Sequence, residues 1–210
     1  HVFAGQGAAT PPFRDAPGGI EFAGTGGQNS LSSSQSLPTT LDGEAIWLQT
    51  RTGNGVFETR ATTGNTGSAV IDAGQVVNPG QLTGAGYSLE FSGSGDSISY
   101  TLLKDGQPTD LVDQAYSSGQ AITVDGLSFT ISGTPDQGDR FEIVPASATL
   151  DIFEALDRAA DALGDPAQTE ASARQAVAFG LRDVDSVMNQ MLAARAQVGG
   201  VLNRLDTLED

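Results

Sequence analysis

Two hydrophobic rhythms divide this chain. Between about residues 43 and 145, apolar residues recur at every second position. Tyr87, Leu89 and Phe91 alternate with Ser88 and Glu90, while Ile98, Tyr100 and Leu102 alternate with Ser99 and Thr101. Each run offers one apolar face, as a half-buried strand does. Residues 121–124 and 127–131 flank Asp125-Gly126, a pair suited to the two positive φ angles of a type I′ turn, which predicts a hairpin. After the loop at 133–139, Phe141 and Ile143 flank Glu142 in another short strand. Ala69-Val70-Ile71 predicts a further strand. So does Ile46-Trp47-Leu48, although that run is too short to distinguish from a buried turn of helix. The opening stretch, 1–42, is rich in Gly, Ser, Thr and Pro, with turn-forming runs at Thr10-Pro11-Pro12 and Pro17-Gly18-Gly19. It predicts extended segments and loops, with one short strand at Ile20-Glu21-Phe22.

Past residue 145 the period becomes helical. Asp151 and Glu154 match a capping box, after which Ile152, Leu156, Ala159 and Leu163 form one apolar face until Gly164-Asp165-Pro166 stops the helix. A second helix is expected to begin near Pro166 and to run almost to Asp210, a length on the order of 60 Å. Within it Val177, Leu181, Val184, Met188, Met191, Arg195, Val198, Leu202 and Leu205 follow a heptad spacing interrupted only by Arg195. Such a seam requires a partner helix. The segment at 151–163 spans only about a third of that length, so the expected partner is either a segment trimmed from this protein or a helix of another molecule. The two rhythms together predict an α+β protein, with an antiparallel β-domain followed by a long helix.

Composition narrows the function. With 26 acidic against 10 basic residues, the net charge is −16. Such a surface repels phosphate backbones, and no basic cluster offsets it, so neither nucleic acid nor an anionic membrane is an expected partner. No apolar run approaches the roughly 20 residues needed to cross a bilayer. Cysteine is absent, which excludes disulfides and thiolate metal sites and suits a chain that leaves the cell unfolded. The opening His1-Val2-Phe3, without Met, predicts a chain trimmed at its amino end.

Catalysis finds little support. The only histidine is His1, which leaves no Ser-His-Asp or Cys-His arrangement and no His metal cluster. The acidic residues scatter over turns and helix faces and read as solvated surface. Gly84-Ala85-Gly86 and Gly93-Ser94-Gly95 lack the third glycine of a dinucleotide fingerprint and read as turns. Asp136 and Asp139 with nearby carbonyls offer a weak calcium alternative without EF-hand spacing. No cofactor is expected. Arg195 within the seam either meets a carboxylate on a neighbouring helix or snorkels at its edge. Gly180, Gly199 and Gly200 each cost a helix about 1 kcal/mol relative to Ala, and mark either close helix approach or a frayed or kinked end.

Several motifs carry a family resemblance. The run Ala194-Arg195-Ala196-Gln197-Val198-Gly199-Gly200-Val201-Leu202-Asn203-Arg204-Leu205 resembles the Arg-Ala-x-x-Gly-x-x-x-Asn-Arg-Leu signature in the carboxy-terminal core helix of flagellins and the hook-associated protein 3 family. His1-Val2-Phe3-Ala4-Gly5 with Thr10-Pro11-Pro12-Phe13 resembles the passage that follows the first core helix there. Leu150-Asp151-Ile152-Phe153-Glu154-Ala155-Leu156 is similar to that family's Asn-Ile-Phe-Asp-Thr-Leu. Ile122-Thr123-Val124-Asp125-Gly126 and the run from Ser132 to Phe141 resemble its inserted motif. His1 stands where that family usually has Tyr, and Gly200 where Ala is common.

The resemblance implies a flagellin D1-like helical core segment from 1–42 and 147–210, with an inserted, D2-like β-rich outer domain at 43–146. It further implies a structural, non-enzymatic role in the extracellular flagellum after type III export, joining hook to filament. Hook-associated protein 1 would be the hook-side neighbour and flagellin the filament-side neighbour, with self-association in a junction ring. Core and assembly packing would fall to Val177, Leu181, Val184, Met188, Met191, Arg195, Val198, Gly199, Leu202, Asn203, Arg204 and Leu205. A flagellin subunit is the nearest alternative, and an adhesin-type β-module on a helical stalk a more distant one. By itself this segment, without polymerising termini, is expected to be a monomer or weak dimer.

Overall fold

The structure, a computed structural model, describes residues 3–6, 11–17, 19–26, 40–164 and 169–209. Along the chain come β1 (Phe13–Ala16), β2 (Gly19–Phe22), α1 (Gly43–Trp47), β3 (Thr50–Arg51), β4 (Phe57–Ala61), β5 (Val70–Ile71) and β6 (Gln75–Val76). There follow β7 (Tyr87–Ser92), β8 (Ser99–Lys104), β9 (Gln107–Pro108), β10 (Gln114–Ala115), β11 (Ala121–Val124), β12 (Leu127–Ser132), β13 (Arg140–Pro145) and β14 (Ala148–Leu150). Helices α2 (Ile152–Gly164) and α3 (Glu170–Glu209) complete it. The fold is therefore mixed helix and antiparallel sheet.

The chain divides into two compact units. The first comprises His1–Thr50, Ala148–Asp157 and Asp183–Asp210; the second comprises Arg51–Ser147 and Arg158–Arg182.

In the second unit, one sheet has the order β10-β8-β7-β13-β4 with β9 added beside β8, and another has β11-β12-β5 with β6 beside β12. The period-two positions are the reason these strands form where they do. Tyr87, Leu89 and Phe91 of β7, Leu102 of β8 and Phe141 and Ile143 of β13 join Ile122, Leu127, Phe129 and Ile131 of the other sheet in one buried core. Burial of each such side chain contributes about 1.5–3 kcal/mol. Strand β4 was not expected, because its second inward position is Thr59, fully buried yet polar. Its Oγ1 donates to the Asp72 carbonyl at 2.6 Å, so a hydroxyl with a partner takes the place of an apolar residue.

The expected hairpin is present: β11 and β12 pair with Val124 opposite Leu127, and Asp125 and Gly126 have φ of 42° and 80°. Asp105 and Gly106 close β8 onto β9 in the same way, with φ of 48° and 80°. A Cβ on Gly126 would stand 2.1 Å from the Asn78 carbonyl oxygen, while the Gly126 carbonyl accepts N–H groups from Val77 and Asn78. Gly126→Val therefore meets both a strained φ and a backbone collision. It is expected to lower stability by more than about 1 kcal/mol in denaturant unfolding. An unshifted midpoint would remove the hairpin from the account.

In the first unit, β1 pairs with β2, Phe13 opposite Phe22, and Arg14 donates to Glu21 at 2.8 Å. The opening region thus holds two paired strands where one was expected. The ambiguous run at 46–48 is largely helical: Asp42 caps α1 by accepting the Ala45 N–H at 3.2 Å, and Ile46 is buried. Leu150, Ile152, Ala155 and Val187 form a small core here, with Trp47, Phe153 and Val184 packed against it.

Candidate assembly surface

Helix α3 opens where Thr169 caps it. Its Oγ1 accepts the Ser172 N–H at 3.1 Å and its carbonyl accepts that of Ala173 at 3.0 Å. The expected start at Pro166 lies outside the described residues. Helix α2 has the expected cap, Asp151 Oδ1 accepting the Phe153 and Glu154 N–H groups. Its buried side differs from the expected one. Ile152 and Ala155 are inside, whereas Leu156 and Leu163 are exposed, because the side of α2 that packs carries a small residue where Leu was expected.

The buried and exposed residues of α3 differ in kind. Ala171, Gln175, Gly180, Asp183, Val187 and Ala194 are buried. They are mostly small or polar, so a search for apolar periodicity passes them over. Gly180 is small for a reason: a Cβ there would lie 3.1 Å from the Cβ of Ala159 on α2. At Gly199 and Gly200 nothing described lies within 4 Å of such a Cβ, and α3 continues through both.

The residues of the heptad seam mostly face outward. Leu181 is 63% exposed, Met188 56%, Met191 37% and Val198 36%, and Leu192 beside them is 57% exposed. Val184 is half-buried against the small core of the first unit. Val177 and Gly199 are half-buried, and Arg195 and Asn203 exposed. The side chains of Leu202, Arg204 and Leu205 lie outside the description. Soluble proteins rarely leave several large apolar side chains in line along a helix unless another element covers them.

Polar clamps surround the start of α3 and the loops beneath it, all within the second unit. Gln175 Nε2 donates to the Ile71 carbonyl and its Oε1 accepts the Ile71 N–H, each at 2.8 Å. Arg182 lies 3.7 Å from Glu58, faces the Thr59 carbonyl at 3.5 Å, and stacks on the Phe179 ring at 4.4 Å. Burial alone would raise the Glu58 pKa. The hydrogen bond and charge of Arg60, a hydrogen bond from Thr52 and the Arg182 charge outweigh it and hold Glu58 below the usual carboxylate value.

The carboxylate of Asp139, 2% exposed, accepts the N–H groups of Thr66, Gly67 and Asp136 at 2.8, 3.1 and 3.0 Å. Those donors take the place that the calcium alternative would have given to a cation. Among the described residues no group of three or more His, Cys, Asp or Glu side chains gathers as a metal site, and no helix is long and apolar enough to cross a membrane.

Large apolar side chains thus stand exposed along α3. Residues 60–145 match the protein family described as flagellar hook-associated protein 1, D2-like domain. That stretch is thus similar to a domain of a flagellar hook-associated protein. Over the whole chain the similarity is to solved structures of the flagellar junction protein, hook-associated protein 3. The flagellar junction protein FlgL from Legionella pneumophila has 25% identity and a TM-score of 0.85, with 100% of this chain and 69% of that one covered. FlgL from Xanthomonas campestris has 26% identity and a TM-score of 0.86, with 99% and 69% covered. No curated protein matches the chain. The likeness to these junction proteins supports a structural role at the hook–filament junction, in association with other axial components.

Proposed function

We propose that this protein works by assembly alone, as the structural joint between hook and filament, without a catalytic step. The observation that carries this reading is the likeness of fold to the junction proteins over virtually the whole chain. The match of residues 60–145 to a hook-associated domain favours this over a flagellin subunit. In this reading residues 1–42 and 147–210 are parts of a D1-like helical core, and 43–146 is the inserted outer domain. Val177, Leu181, Val184, Met188, Met191, Arg195, Val198, Gly199, Leu202, Asn203, Arg204 and Leu205 form the packing seam of α3. Hook-associated protein 1 lies on the hook side, flagellin on the filament side, and copies of the chain contact one another in an extracellular ring.

A labelled full-length protein, expressed in cells lacking their own copy, is expected to restore filaments and to appear as one narrow band at the hook–filament boundary in electron micrographs. Label spread along the filament would indicate a flagellin. Restored motility with label elsewhere, or no restoration by protein that reaches the cell exterior, would overturn the proposal.

A further inference from the structure

The start of α3 meets the β-domain through three residues on one side of the helix, Gln175, Phe179 and Arg182, at spacings of four and three. Phe179 packs on the β-core, and Arg182 reaches Glu58 and the Thr59 carbonyl of β4. Gln175 does something neither of the others does. Strand β5 pairs with β12 along one edge, with Ile71 opposite Ile131. In that register the main-chain groups of Ile71 point to the other edge, because the ladder bond on the β12 side comes from the next residue, the Asp72 N–H donating to the Thr130 carbonyl. Ile71 is 2% exposed, so its N–H and C=O need a partner inside the protein. The Gln175 amide supplies one donor and one acceptor at 2.8 Å each, as a residue of a neighbouring strand would. Only one orientation of the amide satisfies both bonds.

We infer that Gln175 is the residue that registers α3 on the β-domain, so that residues 170–182 fold with the sheets as one cooperative body. A carboxamide at this position is required for its chemistry and not merely for its size. Apolar contacts such as that of Phe179 tolerate sliding and rotation. A paired donor and acceptor does not, since turning the helix by one residue brings Arg174, which has no acceptor, or Ala176, which has neither group, to Ile71 and leaves at least its buried N–H without a partner. A glutamate at 175 has the right shape but two acceptors. It regains the donor only when protonated, and burial beside a carbonyl raises its pKa above the usual ~4.3.

The test is hydrogen exchange on the full chain, comparing Gln175→Leu and Gln175→Glu with the parent at each pH. In Gln175→Leu the Ile71 amide and those of residues 171–182 are expected to exchange at least roughly tenfold faster, while Leu89 and Ile143 in the central strands keep their protection. Gln175→Glu is expected to match Gln175→Leu at pH 7.5 and to return toward the parent below about pH 6. Unchanged protection of Ile71 in Gln175→Leu would overturn the inference. So would a Gln175→Glu to parent ratio that does not vary with pH. Should Gln175→Leu fail to fold, Gln175→Glu decides the matter, since folding recovered on acidification supports the role and its absence refutes it.

Discussion

This 210-residue chain carrying Leu181→Asp together with Met188→Asp is expected to fold normally, and the full-length protein with both changes is expected to fail to hold a filament on the hook. Both side chains are more than half exposed, so in the free chain the new carboxylates remain in water and unfolding should shift by no more than about 0.5 kcal/mol. The proposed assembly covers this side of α3 with a partner helix. Burying two unpaired carboxylates in such a seam costs several kcal/mol each, more than the packing of one heptad can offset. The measurements are the unfolding midpoint of the purified chain and the fraction of cells that retain filaments. Normal filaments in this double variant would remove the seam from the assembly mechanism. Unfolding of the purified chain would show instead that these side chains support the fold itself.

Asp139→Ala is expected to be the most damaging single change to the second unit. Its buried carboxylate accepts the N–H groups of Thr66, Gly67 and Asp136, which ties the 62–67 turn to the loop before β13. Hydrogen bonds to a charged group contribute about 1.5–3 kcal/mol each, and donors left unpaired in the interior add a desolvation cost. A loss of about 3–5 kcal/mol follows, allowing for partial relaxation. Asp139→Asn, which keeps one acceptor oxygen and sets an NH₂ against a donor, should fall between the two. A loss below about 1 kcal/mol in urea unfolding of Asp139→Ala would mean that water or neighbouring carbonyls satisfy those donors equally well.

Residues that act through apolar alternation or turn chemistry were legible from sequence. Tyr87, Leu89 and Phe91 announced β7, Asp125-Gly126 the β11–β12 hairpin, and Asp151 with Glu154 the start of α2. What escaped was built from polar or small residues that act on the backbone. Thr59 hides β4, because its buried hydroxyl breaks the alternation. Asp105-Gly106 escaped because β9 is too short, and contains Pro108, to read as a strand. The most consequential omission concerns the buried residues of α3. Gly180 stood out as a point of close helix approach or a kink, and it meets Ala159 of α2, but Ala171, Gln175 and Asp183 gave no signal, and Gln175 shows its partner, the main chain of Ile71, only in three dimensions. Apolar periodicity located instead the outward side, where Leu181, Met188 and Met191 stand. Periodicity reports where a helix wants company, and it does not say whether that company is in the same chain.

The chain has two methionines, and both, Met188 and Met191, lie on that outward side of α3. A thioether in water is open to peroxide and hypochlorite, and its sulfoxide is polar and stiffer than the side chain it replaces. If this side packs as proposed, subunits that meet oxidants before assembly would therefore carry oxygen atoms on the packing surface. Those already assembled would have their sulfur atoms shielded. Oxidative damage would then fall on the growing or repairing flagellum and spare the finished one.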